Sequence, residues 1–339
     1  MRAMLLCAGL GTRLGALSDE RPKPLLPMCD VPLVRYGLAL LEAAGVREVA
    51  VNLHHRGDLL RAELQPDTTG EIAITFSEEP ELLGTGGGIH KIADWLTDGG
   101  RDPFFVLNGK VVIDADLRAL AEAHAYAGAE GTMLLRPVDA ADDRFGRVDL
   151  DARGRVVGIL GEAAPGEASG PFTRTMFTGV HVVSPALAAR LPGGVSCIVR
   201  QGYVPALQGG APIAGVRYDG YFQEHSTPAR YLAGNIALLR GTAHLQDPPG
   251  ELRGISVDAQ IGVDVEIAEP CRIGAGALVG DGARVGPDVV VGRRARVLPG
   301  AQLERVVVWP EAVAGGVVKD AIVTPRGVFP VEPDLEEAE

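Results

Sequence analysis

The sequence predicts an α/β domain built on a mostly parallel sheet with helices on both faces, followed by a parallel β-helix. Three observations carry this. Short apolar runs alternate with amphipathic helical patterns through the N-terminal part of the chain; a glycine-rich turn follows the first apolar run directly; and from Ile255 an aliphatic residue recurs every six positions. The first pattern is a βαβα rhythm, which places ligands at the carboxyl ends of the strands.

The elements follow in order. Residues 1–8 read as a short buried strand, 32–44 as a helix, 48–53 as a strand, 57–64 as a helix, and 71–76 and 103–107 as further strands. Residues 116–127 place Leu117, Leu120 and His124 on one helical face, so His124 is read as a packed helix residue and not as a catalyst. His54 and His55 end a strand and read as a solvated loop pair.

The turn after the first strand reads LCAGLGTRLGALSDERPKPLLP over residues 6–27. Gly9, Gly11 and Gly15 leave backbone N–H groups open to an anion. Arg13 and Lys23 add fixed positive charge, and Pro22 and Pro24 stiffen the segment that carries Lys23. Two other phosphate motifs fit less well. A dinucleotide fingerprint needs its third glycine one residue earlier and an acid at a strand end, whereas Asp30 precedes Val31-Pro32; the string G-x-x-x-x-G-K-[ST] does not occur. A glycine-rich turn with no ligand would leave Arg13 and the RPKP string unexplained.

At 339 residues with 46% apolar composition, the chain can fill two cores. A Pro248-Pro249-Gly250 linker suggests a division into 1–245 and 252–325. A net charge of −12 argues against nucleic acid or an anionic membrane as the main partner, so phosphate binding must come from local groups. No apolar stretch is long enough to span a bilayer. Cys7, Cys29, Cys197 and Cys271 show no paired spacing, and no charged leader precedes a long apolar run; a reducing cytoplasm is the expected location.

The hexads begin at Ile255 and continue through Ile261, Ile267, Ile273, Val279, Val285, Val291, Val297 and Leu303. The position four after each is Ala, Val or Cys. Positions two apart point the same way from a short strand, and glycines at 262, 274, 280, 286 and 292 fall at the turns. The faces of such a β-helix stack on other subunits, which predicts a homo-oligomer. Acyltransferases also use β-helices, but their chemistry calls for a histidine base at the coil edge, and no histidine lies beyond His244. The acidic tail, 331–339, is read as carrying no fold.

G-x-G-T-R followed by P-K-P resembles the signature of the sugar-phosphate nucleotidylyltransferases, or NDP-sugar pyrophosphorylases. ELLGTGGGI at 81–89, FFVLNG at 104–109, FTGVHVVSP at 177–185 and EHSTPARYLAGN at 224–235 follow in the family's order. The hexads resemble the left-handed hexapeptide-repeat domain found after the catalytic domain in many members. The resemblance implies a Rossmann-like, GT-A-like nucleotidyltransferase sheet and condensation of an NTP with a sugar 1-phosphate, releasing pyrophosphate.

By the same resemblance, Arg13 contacts the leaving phosphates, and Lys23 the α-phosphate or the sugar phosphate. Ala8, Gly9, Gly11, Thr12 and the loop of Leu83, Gly84, Thr85 and Gly87 read the nucleotide. Asn108, Gly146, Glu162, Thr178 and Gly179 match sugar-binding positions, although the family's Glu-Lys-Pro is Glu162-Ala163-Ala164 here. The family holds Mg²⁺ between two aspartates, at whose positions this chain has Lys110 and Glu224. An ammonium cannot ligate a cation, so the metal site is in question. Three accounts stay open: Lys110 replaces the metal's charge and pairs with Glu224 until nucleotide binds; Mg²⁺ enters with nucleotide, held by Glu224 or a carboxylate such as Asp114; or the chain is a silent nucleotide-sugar sensor or regulatory subunit. Mannose-1-phosphate guanylyltransferases and glucose-1-phosphate nucleotidylyltransferases share this domain combination, and two segments also resemble N-acetylmuramate-1-phosphate uridylyltransferases.

Overall fold

The computed structural model describes residues 1–65, 72–138, 146–166 and 171–332. Residue 71 of the expected strand and tail residues 333–339 lie outside the described residues. The chain forms two compact units that interleave in sequence: Met1–Leu10 with Gly37–Phe222, and Gly11–Tyr36 with Gln223–Glu339.

The first unit is a mixed sheet. Its central strand, Ala3–Leu6, runs parallel to Glu48–Leu53 on one side and Phe104–Asn108 on the other, with Ala73–Glu78 parallel beyond Glu48–Leu53. The long strand Phe172–Val183 is antiparallel to Phe104–Asn108, Gly131–Pro137 and Arg147–Asp151. The parallel character predicted from the N-terminal rhythm thus stops at Phe104–Asn108. Further on, among the described residues of this unit, Ile213–Arg217 joins in parallel, alongside Gly131–Pro137.

Met4, Ala50, Phe104, Val106 and Met133 form the core with Tyr203 and Leu187. The helix Leu117–Ala127 starts where the Asp116 carboxylate accepts from Ala119 N–H at 2.9 Å, and ends at Gly128 with φ 55°. Leu117, Leu120 and His124 are buried, and His124 Nδ1 meets Thr132 Oγ1 at 2.9 Å, a satisfied core histidine. The first strand is shorter than expected. Cys7 and Ala8 leave it because a side chain, Asn52, takes their N–H groups.

The second unit contains the hexads. Ile255 pairs with Ile273, Ile261 with Val279 and Ile267 with Val285, so each residue stacks in parallel on the one three hexads later. Three short strands thus make one coil, and the interior is filled by Cys271, Ile273, Ala277, Val279, Ala283 and Val285. The helix Pro228–Arg240, capped by the Thr227 hydroxyl accepting from Arg230 N–H at 3.2 Å, packs against Gln302–Val308 and Val317–Thr324.

The Gly11–Tyr36 segment is held to this unit by buried and part-buried polar contacts. Tyr231 donates to Pro27 O, and Trp309 Nε1 donates to Tyr231 Oη at 3.2 Å. Asn235 Oδ1 accepts from Cys29 N–H at 2.7 Å, and Asp30 Oδ1 from Arg293 N–H at 2.8 Å. Thr324 Oγ1 donates to Glu20 at 2.6 Å.

Candidate functional site

In the first unit, the ends of the parallel strands Ala3–Leu6 and Phe104–Asn108 carry Ala8, Gly9, Asn108 and Lys110. Ala8 and Gly9 follow the central strand, and Gly9 N–H donates to Cys7 O at 2.9 Å, closing a tight turn. Asn108 pairs across from Leu6, and Lys110 follows in the turn before Val111–Ile113, so Lys110 stands at the same sheet end as the glycine turn. Gly109 must be glycine: an added Cβ would lie 2.4 Å from Cys7 Sγ.

Two residues not singled out from sequence organise this end. Asn52 Oδ1 accepts from Cys7 N–H at 2.6 Å and Ala8 N–H at 3.2 Å, while its Nδ2 donates to Glu79 Oε1 at 2.7 Å. Glu79 Oε2 accepts from Leu83 N–H at 3.0 Å. Both side chains are buried, and together they tie the turn after the first strand to the start of the 83–87 segment. Within that segment the expected loop is largely a helix, Gly84–Lys91.

Its glycines serve packing. A Cβ on Gly87 would fall 2.0 Å from Gly194 O, one on Gly88 would fall 2.7 Å from Glu79 Oε1, and Gly86 N–H donates to Ser196 O at 2.9 Å. Thr85 Oγ1 accepts from Ile198 N–H at 3.0 Å. Only Leu83 to Thr85 are partly exposed. His54, read as solvated, is half-buried with Nδ1 2.8 Å from Glu79 O, whereas His55 is exposed.

Among the sugar positions, Asn108 and Gly179 adjoin. Gly179 has φ 82°, and a Cβ there would sit 2.0 Å from Asn108 Nδ2. Thr178 is buried and donates to Leu134 O at 2.8 Å, so its hydroxyl belongs to the sheet. Gly146 is exposed beside Leu160. Glu162 is exposed on a short strand and accepts from Gln208 Nε2 at 2.9 Å.

In the second unit, Gly11 (φ 67°) and Gly15 (φ 56°) bracket a 3₁₀ turn, Thr12–Leu14, that presents Arg13. A Cβ on Gly11 would press on Ser18 Cβ at 3.3 Å. Pro22 then leads into a second 3₁₀ turn, Lys23–Leu25. One carboxylate oxygen, Glu224 Oε1, lies 3.4 Å from Arg13 Nη2 and 3.6 Å from Lys23 Nζ. The Arg13 side chain is 63% exposed, that of Lys23 only 8%. His225 is buried against Gly234, and burial first, with the Lys23 ammonium adding to it, pushes its pKa down to about 4.

The donor set does not suit Mg²⁺ as two aspartates would hold it. Lys110 offers no oxygen, Glu224 is engaged by two cations, and no group of three His, Cys, Asp or Glu residues among the described residues could hold a metal.

The first unit is thus an α/β fold with a glycine turn at a parallel strand end, and the second unit gathers Arg13 and Lys23 on one carboxylate. Residues 2–161 match the family model described as nucleotidyl transferase. The mannose-1-phosphate guanylyltransferase of Mycobacterium tuberculosis is 32% identical over 255 residues, covering 74% of this chain and 67% of that protein. The catalytic subunit beta of the Xenopus tropicalis mannose-1-phosphate guanylyltransferase is 28% identical over 270 residues, covering 77% and 73%. The crystal structure of HddC from Yersinia pseudotuberculosis shares the fold, with a TM-score of 0.57 at 22% identity over 69% of this chain and 97% of that one. The chain belongs to the nucleotidyl transferase family, a class of enzymes. No helix among the described residues is long and apolar enough to cross a membrane.

Proposed function

We propose that the chain transfers a nucleotidyl group from an NTP to a sugar 1-phosphate and releases pyrophosphate, with GTP and mannose 1-phosphate as the favoured pair. A sugar-phosphate oxygen bonds to the α-phosphorus as the bond from that phosphorus to the bridging oxygen of the β-phosphate breaks. The protein's part in such a reaction is to position reactants and neutralise charge. Arg13 would bind the leaving phosphates, Lys23 the α-phosphate or sugar phosphate, and the backbone at Ala8, Gly9 and Leu83–Thr85 the nucleoside.

The observation that carries this reading is the pair of cations gathered on one carboxylate beside a glycine turn, in a protein of net charge −12. The guanylyltransferase relatives support the choice of substrates. A pyrophosphate-release screen of four NTPs against several sugar 1-phosphates tests it, with turnover expected for GTP and mannose 1-phosphate and abolished by Arg13→Ala. No release with any pair from folded protein that still binds an NDP-sugar tightly would replace it with the second reading, a nucleotide-sugar sensor. Lys110, at the position where the family resemblance implies an aspartate, favours that alternative.

Further supports concern assembly and location. Ile255, Val257, Ile261 and Val263 are exposed on the first coil, which suits a homo-oligomer joined through the β-helix, and sedimentation would read its mass. Four free cysteines suit a cytoplasmic, reducing setting.

A further inference from the structure

We propose that a cavity at the end of the helix Leu117–Ala127, within the first unit, is a second small-molecule site that takes a planar apolar body carrying a phosphate or carboxylate. None of the residues expected from the sequence to meet nucleotide or sugar lines it. The inference therefore goes beyond the nucleotidyl-transfer reading and stands without it.

The cavity measures about 450 Å³, within the roughly 300–1,000 Å³ usual for small-molecule sites. Ala129, Val156, Leu207 and Ile213 line it with buried apolar groups, which favour a ligand whose body is apolar as well. Tyr126 also lines it and is 96% exposed, so its ring is open to stack on a planar ligand.

The charge comes from the turn between the strands Arg147–Asp151 and Val156–Ile159. Asp151 Oδ1 accepts from the N–H groups of Arg153 and Arg155, each at 2.8 Å, and Asp151 Oδ2 accepts from Arg155 Nε at 2.8 Å. Gly154, at φ 77°, reverses the chain, and its carbonyl accepts from Gly215 N–H at 2.9 Å, tying the turn to the strand Ile213–Arg217. The carboxylate thus fixes the backbone of the turn and engages the Arg155 guanidinium. Arg153 gives the turn only its backbone N–H, and its guanidinium, at the cavity, makes no hydrogen bond, ion pair or ring contact among the described residues. A guanidinium carried on a fixed turn presents a planar fork that suits a carboxylate or phosphate, and the apolar wall beside it suits the rest of the ligand.

The test uses the full chain in equilibrium dialysis with 1-naphthyl phosphate, 2-naphthoate, inorganic phosphate and 1-naphthol, while hydrogen exchange locates each bound probe. At least one naphthyl anion should bind saturably and slow exchange in peptides covering 153–156 and 207–214, and the tighter of the two identifies the head group. Inorganic phosphate and 1-naphthol, each lacking half of the recognised chemistry, should bind roughly tenfold or more weakly. Arg153→Gln should weaken the naphthyl anion roughly tenfold, and Tyr126→Ala about three- to tenfold. Both side chains are exposed, so these variants should keep the fold and leave pyrophosphate release unchanged. Failure of both naphthyl anions to bind, binding unaltered in Arg153→Gln, or protection confined to 8–15 and 83–87 overturns the second site. None of these results touches the nucleotidyl-transfer reading, which the pyrophosphate-release screen decides separately.

Discussion

Asn52→Ala is the most direct probe of how the sheet end is built. The substitution removes the acceptor shared by Cys7 and Ala8 N–H and the donor to Glu79 Oε1 at 2.7 Å, leaving two backbone donors and a carboxylate oxygen without partners at a buried position. An orphaned buried polar group costs about 1–3 kcal/mol, more when charged. Water entering the space left by the amide offsets part of this, so a loss of about 4 kcal/mol is expected, a large share of the roughly 5–15 kcal/mol that holds a domain together. Urea unfolding followed by circular dichroism reads the loss, and hydrogen exchange of the peptide covering residues 3–9 reads its location. Glu79→Gln keeps one acceptor, for Leu83 N–H or for Asn52 Nδ2 but not both, and should also lower stability. A loss below about 1 kcal/mol in Asn52→Ala, with exchange at Cys7 and Ala8 unchanged, would refute the view that this side chain sets the turn.

Three other outcomes follow from the geometry. Gly179→Ala combines a φ of 82° with a Cβ 2.0 Å from Asn108 Nδ2, so it should displace Asn108 and raise the KM for sugar 1-phosphate more than that for NTP; equal effects on both would count against a sugar-side role. Gly274→Ala places a Cβ 2.3 Å from Asp30 Oδ2 and should lower thermal stability by about 2 kcal/mol or more, measured by calorimetry. Burial pushes the pKa of His181 down to about 3 and that of His225 to about 4 from an ordinary 6.5, so the unfolded chain takes up protons that the folded chain does not. The stability held by their neutral forms is complete above pH 6.5 and declines as pH falls toward 4 and then 3, by on the order of a few kcal/mol. Denaturant midpoints between pH 7 and 4 read this decline, and His181→Phe should flatten it.

Elements governed by local pattern were legible in the sequence. The strand Glu48–Leu53 and the helix Gly57–Leu64 fall where apolar spacing places them, and the hexads translate directly into ladders because three short strands close one coil. The glycines of the GTGGG string were harder. Their number reads as access for a ligand, but Gly87 and Gly88 are required by the close approach of Gly194 O and Glu79. Asn52 and Glu79 gave no spacing signal, since each makes its contacts through the fold and not through a local pattern. The one available clue was a lone amide near the end of an otherwise apolar strand. For Glu224, the motif indicated a carboxylate, but which cations would reach it depended on two 3₁₀ turns whose directions no periodicity encodes.

The anchoring of the Gly11–Tyr36 segment bears on the order in which the protein can be made. Asp30 waits for Arg293, 263 residues later, and Glu20 for Thr324, 304 residues later. At about 5–20 residues per second, synthesis leaves this segment without those partners for roughly 15 to 60 seconds, and contacts so distant in sequence form late. The cationic turn leaves the ribosome well before the residues that support it. A nascent chain that stalls before the last coils would carry Arg13 and Lys23 without the contacts that position them.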